Sequence, residues 1–119
     1  MFKSRVQRTA KKRRAHFMGM LGLEEIPKPE NLTRQQGGCW FRCGEHQVHI
    51  GIDPDFRPAR KAHAAFVVDT FDDLRVRLRG GGFEVIDDAE LAGVRRFFSY
   101  DPWGNRLEFI FGDVFDVSC

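Results

Sequence analysis

The chain contains an internal repeat. Leu23-Glu24-Glu25-Ile26 returns about 60 residues later as Phe83-Glu84-Val85-Ile86, and His46-Gln47-Val48-His49-Ile50-Gly51-Ile52 returns as Asn105-Arg106-Leu107-Glu108-Phe109-Ile110-Phe111. Self-similarity at a fixed offset means that one supersecondary unit is used twice, which removes most single-copy topologies. The fold must therefore be built from two similar modules.

Periodicity and turn chemistry supply the elements. Residues 9–21 read as a helix with Ala10, Phe17, Met18 and Leu21 as its apolar positions, Thr9 as cap and Gly22 as stop. Residues 23–26 are strand-like and end at Pro27, and the polar residues 30–37 form a loop. Residues 38–43 and 46–52 are strands joined by a tight Gly44-Glu45 turn. After a linker with Pro54 and Pro58, residues 63–68 form a strand and 70–79 a helix. Thr70 caps that helix, and Phe71, Leu74 and Leu78 face inward. Strands follow at 83–86, 94–100 and 105–111, the last two joined by a turn over Asp101-Pro102-Trp103-Gly104-Asn105. The glycines at 80–82 follow a helix rather than open one, so they are not a phosphate-binding loop.

The order predicts an α+β fold of two βαβββ modules: module one at about 1–53, a linker over 54–62, module two over 63–112 and a short tail over 113–119. The first strand of module one falls near residues 2–8, which are unusually polar. At 119 residues, with 42% hydrophobic and 30% charged residues, the chain has the composition of one globular domain. No apolar run approaches the ~20 residues of a membrane span. The basic start has no apolar stretch after it, so no secretory signal is expected. Three cysteines, an odd number, exclude a full intrachain disulfide framework and point to a reducing, cytoplasmic setting. Cys39 and Cys43 lie about 13 Å apart on one strand face, too far to bridge, and read as buried core thiols. Seven basic residues and no acidic one fall within residues 1–14, leaving twelve basic against seventeen acidic in the rest. Without aromatic or Gly-rich accompaniment this block reads as a solvated face rather than a nucleic-acid site.

Strand alternation sorts the chemistry-bearing residues. His49 and Glu108 interrupt apolar strands at equivalent places in the two modules, and His63 opens the strand between them. Two imidazoles and a carboxylate suit a divalent transition metal with open positions. The other reading is two ordinary strand histidines, with Glu108 paired to Arg106 or Arg96. Two readings likewise stand for Trp40, Arg42, Arg96, Phe98 and Tyr100: aromatic core, or the lining of a cavity that grips an anionic or aromatic ligand.

The stretches HIGIDPDFRPARKAHAAFVVD and VRRFFSYDPWGNRLEFIF, with HFMGMLGLEEIPKPENLTRQQGGCWFRCG before them, resemble the glyoxalase / bleomycin resistance / extradiol dioxygenase superfamily, the vicinal oxygen chelate fold. The likeness covers about residues 9–112, and the run from Asp101 to Glu108 is its most specific part. The resemblance implies paired βαβββ modules whose sheets curl around a cavity, and a homodimer. It implies a divalent metal ion (zinc, nickel, manganese or iron) held by His49, His63 and Glu108. The chemistry would be of lyase, isomerase or dioxygenase type on a small substrate with neighbouring oxygens, with Glu108 also the catalytic base. Where the family's first strand begins with a His-Val-Gln run, Arg5-Val6-Gln7 stands here. The alternative the family offers is a homodimer of the bleomycin resistance type, which binds a drug and performs no reaction.

Overall fold

The computed structural model describes residues 11–29, 38–89 and 93–112. The expected first strand near 2–8, the Thr9 cap, the loop over 30–37 and the tail over 113–119 lie outside them. The chain divides after Phe56 into two compact units.

In the first unit, residues 11–14 are α-helical and lead into α1 (Ala15–Met20), which is π-helical. The expected helix is present but wound wider: the Leu21 N–H donates to the His16 carbonyl, five residues back, at 3.0 Å. Phe17 is buried and stacks on Phe41 with ring centroids 5.4 Å apart. Strands β1 (Glu24–Ile26), β2 (Cys39–Cys43) and β3 (His46–Ile50) form an antiparallel sheet in that order. The Gly44-Glu45 turn joins β2 to β3 as the sequence predicts, with Cys43 opposite His46. β3 ends at Ile50 rather than Ile52, because the ladder with β2 ends at the Cys39–Ile50 pair. Cys39, Phe41 and Cys43 point to the buried side. Cys39 is a free thiol as expected, and burial pushes its pKa up although Arg13 opposes the shift. Cys43 is not the expected core thiol: it is disulfide-bonded.

The second unit has the order the repeat predicts: β4 (Ala64–Val68), α2 (Phe71–Gly80), β5 (Val85–Asp88), β6 (Arg96–Tyr100) and β7 (Arg106–Phe111). The strand order is β4-β7-β6-β5, so the first and last strands of the module lie side by side and parallel, with the remaining pairs antiparallel. Asp72 and Asp73 in the first turn of α2 and Arg77 and Arg79 in its last turn complement the helix dipole. Phe71, Leu74 and Leu78 are buried, as expected. Phe71 meets Phe97 edge-on at 5.1 Å, Phe97 stacks on Phe109 at 5.0 Å, and Phe109 stacks on Phe66 at 5.6 Å. This aromatic core uses one face of the sheet and leaves the other for polar chemistry.

One strand is displaced from its expected place. β5 begins at Val85, not Phe83, because Gly82 adopts φ 86° and the Phe83 N–H donates to the Leu78 carbonyl at 2.9 Å. Phe83 therefore finishes the helix rather than starting the strand. The strand gains Asp87 and Asp88 in exchange. Arg75 grips Asp87 with contacts of 2.9 and 2.6 Å, tying α2 to the sheet edge. The Asp101–Asn105 turn forms as expected, and buried Asp101 organises it. Its Oδ1 accepts from the Trp103 and Asn105 backbone N–H groups at 2.9 and 2.8 Å, and its Oδ2 from the Asn105 side-chain amide at 2.7 Å. Among the described residues no helix is long and apolar enough to cross a membrane.

Candidate functional site

The register of the second sheet assembles a polar face. Ala65 and Phe98 flank Glu108 on either side, Tyr100 pairs with Arg106, Arg96 with Ile110, and Ile86 with Phe98. Alternation puts the side chains of these residues on the face opposite the aromatic core, together with His63, which precedes β4. Four of the expected site residues, His63, Arg96, Phe98 and Glu108, are thereby brought into mutual contact.

His63 Nε2 lies 2.8 Å from Glu108 Oε1, and His63 Nδ1 lies 2.7 Å from the Lys61 carbonyl oxygen. The imidazole is 25% exposed and the Glu108 side chain 10%, so a ligand from solvent reaches the histidine while the carboxylate is largely enclosed. Arg96 approaches the other carboxylate oxygen of Glu108 at 3.4 Å and also pairs with Asp88. Of the two arginines considered as partners of Glu108, the structure selects Arg96. Phe98 meets His63 edge-on at 5.7 Å, and the guanidinium groups of Arg96 and Arg106 lie 5.2 and 4.0 Å from its ring centre.

The hydrogen bonding explains the electrostatics. With Nδ1–H donated to a carbonyl, the neutral tautomer leaves a lone pair on Nε2, and that lone pair faces a carboxylate oxygen. Two acceptors this close need a cation between them. In the absence of metal that cation is a proton: the Lys61 carbonyl, then the Glu108 carboxylate, raise the pKa of His63 above its ordinary 6.5, against opposing burial and the charge of Arg106.

The same arrangement fits a metal. A metal-binding histidine characteristically donates its second ring N–H to a carbonyl, and here Lys61 supplies one. The described residues contain no group of three or more His, Cys, Asp or Glu side chains close enough to hold an ion, and His63 with Glu108 is the pair that meets. His49, Trp40 and Arg42 lie in the first unit, on the exposed side of its sheet. His49 stacks flat on Trp40 with ring centroids 3.5 Å apart, and its Nε2 meets Gln47 Oε1 at 2.8 Å. Two participants carry no signal in the sequence: Lys61, whose backbone carbonyl meets His63 Nδ1, and Asp88, which pairs with Arg96 because β5 is shifted. Arg106 was visible as a neighbour of Glu108 on one face, but not as a cation stacked on Phe98.

No protein-family model and no curated protein matches the sequence. Solved structures do. A protein described as a glyoxalase family member from Bacillus anthracis is 46% identical, with a TM-score of 0.80 over 87% of this chain and 84% of that one. A glyoxalase/dioxygenase from Nostoc punctiforme is 19% identical, with a TM-score of 0.72 over 87% of this chain and 84% of the other. A mutant of the fosfomycin resistance protein FosX from Listeria monocytogenes, complexed with Mn(II) and a dihydroxypropylphosphonic acid, is 19% identical. Its TM-score is 0.72 over 87% of this chain and 84% of the other. The last two share the fold, and the first fixes the kinship. The chain belongs to the glyoxalase family, within the vicinal oxygen chelate superfamily.

Proposed function

We propose that this protein is a divalent-metal-dependent enzyme of lyase, isomerase or dioxygenase type, with His63 and Glu108 as metal ligands. Its substrate is a small molecule carrying neighbouring oxygens. The observation that carries the reading is the 2.8 Å approach of His63 Nε2 to Glu108 Oε1, with Nδ1 already committed to the Lys61 carbonyl. Imidazole with carboxylate suits zinc, nickel, manganese or iron. A bound ion would chelate two substrate oxygens and stabilise the negative charge that develops on them.

Glu108 is the catalytic base of this reading. Arg96 holds its Oε2, which orients the carboxylate and leaves Oε1 directed at His63. A proton from substrate carbon passes to a carboxylate in that position. Arg96, Phe98 and Tyr100 contact substrate from the second sheet, and Trp40 and Arg42 are the substrate-binding residues of the first. The protein acts in the cytoplasm as a homodimer. The FosX complex supports the reading by analogy, since its ligand carries two hydroxyl groups and its metal is manganese.

The test is elemental analysis of untagged protein after dialysis against zinc, nickel, manganese and iron salts. About one tightly held metal per chain is expected, lost in His63→Ala and in Glu108→Ala. The same measurement on His49→Ala examines the third expected ligand. A wild-type chain that retains none of the four ions overturns the reading, and the protein is then a non-catalytic binding dimer of the bleomycin resistance type.

A further inference from the structure

We propose that Arg106 is an anchor for an oxyanion group, carboxylate or phosphoryl, of the ligand that occupies the polar face of the second sheet. The inference rests on that face being the binding site, and it adds a residue and a substrate class to it.

The argument starts from charge matching. Two guanidinium groups and two carboxylates are named on this face: Arg96, Arg106, Asp88 and Glu108. Arg96 is shared between both carboxylates, and Glu108 is further matched by His63. Among the described residues Arg106, unlike Arg96, forms no ion pair, and its Nε, like that of Arg96, is buried with no hydrogen-bond partner. A buried donor left unmatched costs about 1–3 kcal/mol. Such a cost on the same face as the His63–Glu108 pair is most simply recovered when a ligand supplies the acceptor.

Geometry fixes what kind of acceptor. Arg106 opens β7 and pairs with Tyr100, which puts it diagonal to Phe98 on β6. Its guanidinium lies over the Phe98 ring at 4.0 Å. Stacking holds the plane of the group and leaves its edge, where the N–H donors lie, as the contact surface. A guanidinium edge matches a group with two coplanar oxygens, as carboxylates and phosphoryl groups present. Extending the β4–β7 register one residue back from Ala64–Leu107 sets His63 beside Arg106. An oxyanion on Arg106 therefore lies next to the imidazole, and the rest of the ligand extends towards Glu108. Arg106 and Glu108 lie two residues apart on one strand face, so the anchored and reacting ends are about 7 Å apart and the ligand is small.

The experiment is a titration of the chelator-treated protein with inorganic phosphate, and separately with acetate, at ionic strength held constant with chloride. A saturable rise in Tm is expected for at least one of the two, with Kd in the millimolar range. A shift of the Arg106 guanidinium resonances should accompany it. Arg106→Gln should weaken binding about tenfold or more. Arg106→Lys keeps a cation over Phe98 and guards against a folding defect; it should retain native circular dichroism and bind more weakly than wild type. Arg79→Gln, an exposed arginine on α2, which packs on the opposite face of the sheet, should bind as wild type does. No saturable effect beyond chloride in the wild type, or unchanged binding in Arg106→Gln, overturns the inference. Because metal is absent throughout, loss of the metal reading leaves this result standing, and a protein that binds metal in the separate test but ignores both anions in its chelated form removes the anchor alone.

Discussion

Glu108 and His63 stand 45 residues apart in sequence and 2.8 Å apart in space, joined across the parallel seam between β4 and β7. Both ring nitrogens of His63 face acceptors, so the structure favours the imidazolium until something else takes the proton's place.

That preference sets a pH dependence for the metal-free protein. The pKa of His63 is raised in the folded state, so its contribution to stability is fully present below the unfolded value near 6.5. It is lost as pH rises through the folded value. Urea melts of chelated protein between pH 5.5 and 8.5 should show wild type losing stability, relative to Glu108→Gln, across that window. An NMR titration of the His63 ring should show Glu108→Gln moving its pKa down. A His63 that titrates at or below 6.5 in the wild type would refute the account.

Asp101 is a second point of leverage, this one structural. Its carboxylate accepts three hydrogen bonds inside the turn that launches β7. Asp101→Ala leaves buried donors without acceptors and should cost about 3 kcal/mol in equilibrium unfolding. Asp101→Asn, which keeps one acceptor oxygen, should cost less. A change under about 0.5 kcal/mol for the alanine variant would show that the turn holds without its carboxylate.

Two glycines should respond to alanine in opposite directions. Gly38 has φ 81°, and a Cβ there would sit 2.6 Å from the Ile50 carbonyl oxygen, a backbone atom that cannot swing aside. Gly38→Ala should destabilise by about 3 kcal/mol, from left-handed strain plus displacement of the β2–β3 ladder. Gly80 ends α2 with open space where its Cβ would be. Gly80→Ala should be neutral or stabilising by about 0.5 kcal/mol. Thermal melts of the two variants side by side decide the matter, and a Gly38→Ala protein as stable as wild type would contradict the close approach.

Much of this architecture is written in local pattern. The repeat predicts the element order of the second module, Glu108 stands out as a charge interrupting an apolar strand, and the Asp101–Asn105 turn is legible from its residue types. What local pattern does not carry is register. Phe83-Glu84-Val85-Ile86 has the look of a strand, but the helix cap claims Phe83, and the strand slides onto Asp87 and Asp88. Nor does a one-letter string reveal that a lysine's backbone oxygen fixes the His63 tautomer, since every residue has a carbonyl. The choice of Arg96 over Arg106 as the partner of Glu108 depends on cross-strand geometry that spacing along one strand cannot report. The spacing of apolar residues predicts the first helix, but its wider winding depends on bond partners that spacing does not set.

The parallel pairing of β4 with β7 also bears on the order of events during folding. The strand that brings in Glu108 is the last of its module, and its neighbour on one side is the first. Every contact along that seam spans more than forty residues of chain, so it closes at the highest loop entropy in the module. A nascent or partly opened module in which α2 and the β5–β6 pair have formed has no histidine–carboxylate pair at all. The chemistry of this face is thus a property of the completed module, and it vanishes with the first strand to let go.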